Sequence, residues 1–264
     1  MKIYVITDLE GPAMVFSFDQ TRLPEATERI AQAKRFLTRE VNACVDGILD
    51  VDAAAEVVVL DGHGSGGIDY ELFHEQAQLI AGYRRPSFAC LDETYDALFF
   101  VGQHAMAGTP AAPLAHTQSS RTIEYYRLNG ELIGEFAQHA ILAGTLFGVP
   151  TAFLSGDDKA VAEAQTLAPA LVGVVTKVGL GLEAARSVSP RRAQKLIRAG
   201  AAEACRRVRA RAIPPLRVAP PYELEIRVLP GQEARLAGYL QRGFVPVDER
   251  TVRRESDDPR VVLS

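Results

Sequence analysis

The chain has 264 residues, 47% of them hydrophobic and 23% charged, with a formal net charge of -4. That apolar content supports a sizeable buried core and excludes a disordered chain. The mildly acidic balance, with no long basic run, argues against nucleic acid as a partner. No stretch reaches about 18 uninterrupted apolar residues, so no membrane span is expected. The apolar run of Met1 to Asp8 is too short for a signal peptide and meets an acid at once. Cys44, Cys90 and Cys205 are far apart and form no CxxC pair, which points to reduced thiols in a cytoplasmic protein.

Ile3 to Thr7 reads as a short buried strand, followed by a loop with Gly11 and Pro12. Pro24 opens a helical pattern in which Ala26, Ile30, Ala33, Leu37, Val41, Cys44 and Ile48 recur at steps of three or four. Glu56 to Leu60 is a second, Val-rich strand, and strand-helix-strand is the signature of a right-handed βαβ unit. His74, with Glu71 and Glu75, falls in a stretch read as helical. Ala97 to Val101 is a third apolar run. Thr122 to Leu128 and Leu132 to Ile133 flank Asn129-Gly130, a strong hairpin signal. Glu135 to Phe147 reads as a helix with Gly148 just past its end, and Thr151 to Leu154 as a further strand. After Ser189-Pro190 a basic helix runs to about Ala212, its Arg206, Arg207, Arg209 and Arg211 expected to be solvated. Prolines 214, 215, 220 and 221 then mark a boundary, before a strand over Glu223 to Leu229 and a short helix near Glu233 to Gln241. The expected fold is α/β: a mostly parallel sheet flanked by helices, with a smaller C-terminal α+β subdomain. The expected division is an α/β core over 1-190 and a helix plus subdomain over 191-264, integrated as one domain.

Candidate chemistry sits where apolar runs end. Asp8 and Glu10 follow the first strand, His63 the second and His104 the third. In an open α/β sheet the carboxyl ends of the strands converge on one crevice, so these residues are expected to meet. Asp8-Leu9-Glu10 puts both carboxylates on one side of an extended backbone. Two histidines with several carboxylates suit a borderline divalent ion such as zinc. Glu135 and His139, four apart on one helix face, are a further candidate pair. The run Gly62-His63-Gly64-Ser65-Gly66-Gly67 lacks the Lys-Ser/Thr of a P-loop and the spacing of a dinucleotide fingerprint. Its glycines are expected to let backbone pass close to metal and substrate. No Gly-x-Ser-x-Gly elbow occurs, which argues against a serine hydrolase.

Together these segments resemble the D-aminopeptidases of peptidase family M55. The resemblance is carried by Thr7-Asp8-Leu9-Glu10-Gly11, Leu60-Asp61-Gly62-His63-Gly64, Gly102 to Pro110 around His104, Leu114-Ala115-His116-Thr117, Asn129-Gly130 with Gly134-Glu135, and Gly156-Asp157-Asp158. Their order is kept over roughly residues 1 to 190. Thr7 and Gly62 each stand where the family pattern has Ser, and the stretch from His104 to His116 is one residue longer. The resemblance implies that Asp8, Glu10, His63, His104 and Glu135 bind two zinc ions, and that His116 is the catalytic group. It further implies hydrolysis of the N-terminal amide of short peptides, with N-terminal D-residues such as D-Ala, in a ring-like homo-oligomer with a decamer as the candidate size. Two other readings stand beside it. One is a binuclear-metal hydrolase of another amide or a phosphoester, disfavoured by the lack of an Arg or Lys cluster near the ligand loops. The other is a non-enzymatic α/β ligand-binding protein.

Overall fold

The computed structural model describes residues 1-22, 27-82 and 88-263. In chain order the strands and helices are β1 (Lys2–Thr7), α1 (Thr27–Leu49), β2 (Glu56–Asp61), β3 (Ala77–Ile80), β4 (Ala97–Gln103), β5 (Ile123–Leu128), β6 (Glu131–Ile133), α2 (Glu135–Leu142), β7 (Thr151–Asp157), α3 (Asp158–Leu167), β8 (Val172–Gly181), β9 (Ala184–Ser187), α4 (Pro190–Arg209), β10 (Tyr222–Val228), α5 (Leu236–Gln241), β11 (Val245–Pro246), β12 (Thr251–Ser256) and α6 (Pro259–Leu263).

Seven strands form the main sheet in the order β3-β2-β1-β4-β7-β8-β9, parallel except for the antiparallel edge strand β9. Its central strands are buried on both faces, which is why they read as continuous apolar runs. Side chains alternate between two cores. Ile3, Val5, Val57, Val59, Phe99 and Val101 share a cluster with residues of α1 and α4, while Tyr4, Ile6, Val58, Leu60, Leu98 and Phe100 meet α2 and α3 on the other face. On α1 the expected stripe of Ile30, Ala33, Leu37, Val41, Cys44 and Ile48 is buried; Pro24 and Ala26 lie outside the described residues. Burying each large aliphatic of that stripe stabilises by about 2 kcal/mol. An exposed pair such as Arg198–Asp50 contributes about 1 kcal/mol at most, so apolar packing holds α1 in place.

A second, five-stranded sheet has the order β11-β12-β10-β5-β6. The Asn129-Gly130 turn joins β5 to β6 with both residues at positive φ, as expected of a two-residue hairpin. That hairpin pairs through β5 with β10, so the strands beyond 191 are completed by residues 123-133. The helix α4 belongs to the main core instead: it lies along α1, close enough that a Cβ on Gly47 would strike the backbone carbonyl of Arg198. The boundary expected at 190/191 therefore runs between elements that interlock.

Three local expectations are corrected. The stretch around His74 is a series of turns before β3, with His74 beside Asp46, since it offers no helical apolar stripe. The helix from Glu135 keeps α geometry only to Leu142 and widens into a π turn over Ala143–Phe147 before Gly148, at φ +69°, ends it. The strand expected at 151-154 runs on to Asp157.

Close backbone approach at the carboxyl ends of β1 and β4 requires glycine. At Gly102, φ is +83° and a Cβ would land on the carbonyl of Asp8. Gly102→Ala should therefore lower unfolding stability by about 2–5 kcal/mol, combining left-handed strain with overpacking. Urea denaturation would show it as a reduced midpoint at unchanged m-value.

Candidate metal centre

The chain leaves β1 toward β2 and β3 on one side of the sheet, then returns at β4 and builds β7 and β8 on the other. The gap between the ends of β1 and β4 is thus a topological switch point, where a crevice opens. Asp8 and Glu10 follow β1, His63 follows β2, and His104 follows β4. Glu135 arrives from another direction, as the first residue of α2, and His116 from the loop before β5.

These six side chains form two adjoining groups. Asp8, Glu10 and His63 make one; His104, His116 and Glu135 make the other. In each group the ligand-type atoms lie within 4.8 Å of one another. His63 Nε2 is 3.3 Å from Glu10 Oε1, and His104 Nε2 is 3.2 Å from Asp8 Oδ2 and 3.6 Å from Glu135 Oε1. His116 Nε2 is 3.8 Å from Glu135 Oε1, and its ring stacks on His104 with centroids 4.0 Å apart. His139 is in neither group: its Nδ1 bonds to the Glu135 carbonyl and its ring lies against Phe88 and Phe100.

The donor set fits a divalent cation on two counts. Each imidazole has its Nδ1 occupied from outside the cluster. His104 donates to the Ala105 carbonyl at 2.9 Å, His116 to the Leu114 carbonyl at 2.8 Å, and His63 Nδ1 meets Ser65 Oγ at 3.1 Å. The carbonyl partners of His104 and His116 select the tautomer in which the Nε2 lone pair faces the cluster, the arrangement a metal requires, and the Ser65 contact leaves His63 Nε2 facing it too. In addition, His104 Nε2 and Glu10 Oε2 are sealed from water without a hydrogen bond, which is unfavourable unless something charged satisfies them.

The electrostatics agree. Burial, with Glu10 beside it, pushes the Asp8 carboxyl up to about 7 against the pull of His104. Burial opposes ionisation of Glu135 as well, but the close approach and charge of His104, with His116 and the Gln118 N–H beside it, hold it at about 2. Burial likewise works against the charge on His63, yet Glu10 raises it to about 9. His116 is shifted down by burial and by the neighbouring His104. Without a metal, protons on the imidazoles would balance the crowded carboxylates; a bound cation would take over that role.

Two supports escaped the sequence reading. Lys177, fully buried in β8, donates from Nζ to the carbonyls of Glu10, Pro12 and Val15, so it clamps the loop carrying Asp8 and Glu10. From the other side Glu40 on α1 accepts the Ala13 N–H at 2.8 Å. A lone Lys inside the otherwise apolar run 172-181 was the available signal. In the glycine-rich loop, Gly62 lies against the Thr7 carbonyl, and Gly67 donates to Asp61.

Two cavities meet at the cluster, sharing Asp8, Gly62, Gln118 and Glu135. One, of about 340 Å³, runs under Phe88, Gln138, His139 and Leu142 to the C-terminal sheet. The other, of about 400 Å³, is lined by His63 and His116 and also by Arg22 and Arg121. The sequence shows no basic cluster near the ligand loops; the fold brings these two arginines there.

Comparisons with known proteins show what the chain is similar to. The model of the peptidase M55 family, described as D-aminopeptidase, matches residues 1–264. A D-aminopeptidase of Bacillus subtilis (strain 168) is 29% identical over 200 residues, which is 75% of this chain and 71% of the relative. A solved structure, described as the zinc-dependent D-aminopeptidase DppA from Bacillus subtilis and a self-compartmentalizing protease, superposes with a TM-score of 0.89. It is 25% identical and covers 100% of this chain and 94% of its own.

The buried Glu40 makes a prediction about pH. Burial pushes its carboxyl up to about 8, above the ordinary 4.5. The folded state therefore holds this proton more tightly than the unfolded one. Its contribution is complete below about pH 4.5 and is lost as pH rises through 8. Gln keeps an acceptor for Ala13, so Glu40→Gln should match wild-type stability at pH 5 and exceed it by roughly 1–4 kcal/mol at pH 9 in urea titrations.

Proposed function

The chain belongs to the M55 family of D-aminopeptidases, and from that premise we propose that it removes N-terminal D-residues such as D-Ala from short peptides, using two zinc ions held by Asp8, Glu10, His63, His104 and Glu135. The observation that carries this reading is the pair of adjoining donor groups at the switch point, with three imidazoles turned Nε2-inward. Asp8 lies beside Glu10 and 3.2 Å from His104, and would help hold the metal with both. Zinc in such a site supplies a water acidified toward neutral pH and a Lewis acid for the scissile carbonyl.

The chain's own residues divide the remaining tasks. His116 is the proton carrier. Its Nδ1–H is fixed on the Leu114 carbonyl, and its depressed basicity keeps Nε2 free to accept a proton near neutral pH. Nε2 takes a proton from the attacking water and returns it to the departing amine, within reach of Glu135. The Gln118 N–H donates to Glu135 Oε1 at 2.7 Å and so keeps that carboxylate turned to the cluster. The substrate's free amine is drawn to the same carboxylate-rich end.

The name of the structural relative supports self-assembly, and a ring-like homo-oligomer, with a decamer as its candidate form, is part of the proposal. The large apolar side chains Leu180 and Leu182, 66% and 54% exposed, suit a covered face. Among the described residues no helix is long and apolar enough to cross a membrane. A cytoplasmic setting suits the three free thiols, of which Cys44 and Cys205 are buried.

Zinc-loaded protein should hydrolyse D-Ala-D-Ala faster than L-Ala-L-Ala and lose that activity to a chelator. Turnover that survives metal removal, or none after zinc is restored, rejects the reading. His116→Ala should lower kcat by about 10²-fold or more while elemental analysis still finds both metals. Loss of a metal would make His116 a ligand instead.

A further inference from the structure

The cavity of about 400 Å³ carries both signs of charge in its lining. Asp8, Glu10 and Glu135 belong to the donor cluster; Arg22 and Arg121, with the hydroxyl residues Ser119 and Ser120, belong to the chain segments that close around it. Arg22 is held in a defined pose. Its Nε donates to Ser120 Oγ at 3.1 Å, and its guanidinium carbon sits 3.3 Å from the centre of the Phe18 ring. Stacking and a hydrogen bond together fix the plane of the guanidinium, so little side-chain entropy remains to be lost when it meets a ligand. A planar guanidinium held in this way matches a carboxylate.

A short peptide is complementary to such a lining. Its amine belongs at the carboxylate-rich end, and the one anion that every short peptide carries is its terminal carboxylate. We propose that Arg22 receives the C-terminal carboxylate of the substrate, so that the site selects short peptides with a free C-terminus. This inference rests on the aminopeptidase reading and deepens it: size selection would come from the two signs of charge in one cavity lining. A peptide ending in an amide, or one too long to bring its carboxylate to Arg22, would lose the contact. Arg121, exposed at the same cavity, adds positive potential there.

The test compares D-Ala-D-Ala with D-Ala-D-Ala amide on the full-length, zinc-loaded protein, with kcat and KM measured separately. A charge-assisted contact of this kind should raise KM for the amide by about 10- to 100-fold and leave kcat little changed. In Arg22→Ala the preference for the acid should collapse toward unity through a raised KM for the acid, and Arg22→Lys should restore part of it. Equal KM values for acid and amide in the wild type overturn the inference and leave the aminopeptidase reading standing. A full acid preference retained by Arg22→Ala also overturns it. If that variant fails to fold, the wild-type comparison of acid with amide decides alone. No turnover of either peptide removes the aminopeptidase reading, and this inference with it.

Discussion

Asp8, Glu10 and Glu135 are carboxylates brought together in a site largely closed to water, and the surrounding structure is arranged around that fact. Like charges in a poorly solvated interior repel strongly, and each carries a desolvation cost of several kcal/mol unless paired. The imidazoles of His63 and His104 lie against them at short distance, and His104 Nε2 makes no hydrogen bond. Such an arrangement is poor as a set of salt bridges and good as a set of metal donors. The charge balance of the interior depends on what the six side chains hold.

Holding them takes rigid backbone, and the sheet provides it. The strand ends bring Asp8, Glu10, His63 and His104 together, and glycines let their loops approach: Gly11 and Gly102 touch backbone to backbone, with the Gly11 N–H donating to the Gly102 carbonyl at 2.7 Å. Lys177 and Glu40 then pin the 10-15 loop from two sides. Thr176 adds a bond of 2.8 Å to the Gly11 carbonyl. A loop tied at this many backbone atoms has little freedom to open, which suits donors that must stay close to one another.

The second sheet closes the other side of the site. Its β5-β6 hairpin leads straight into α2 and so into Glu135, and its inner face borders the cavity that reaches the cluster. Residues far from the strand ends of the main sheet, among them Leu224, Ile226 and Val262, thereby line a space next to the chemistry. The C-terminal region is in this way a wall of the candidate substrate site.

Local pattern alone determined a good deal. Continuous apolar runs marked β1, β2 and β4, a 3.6-residue stripe marked α1, and Asn-Gly marked the hairpin; in each the burial pattern is written into neighbouring residues. Because parallel strands converge at their carboxyl ends, Asp8, Glu10, His63 and His104 were legible as a group; helical spacing offered Glu135 only together with His139, and the resemblance singled out Glu135 and supplied the role of His116. The tertiary structure decided the rest, because it depends on pairings between distant residues. Strand β10 finds β5 about a hundred positions away, and α4 joins the first core although it follows the last strand of the main sheet. Glu40 looks like an ordinary surface charge until the fold buries it, the partners of Lys177 lie more than 160 positions away, and Arg22 meets Ser120 and the cavity only in the folded chain. Periodicity reports which face of an element is apolar, and it carries no information about which distant polar group that face will meet.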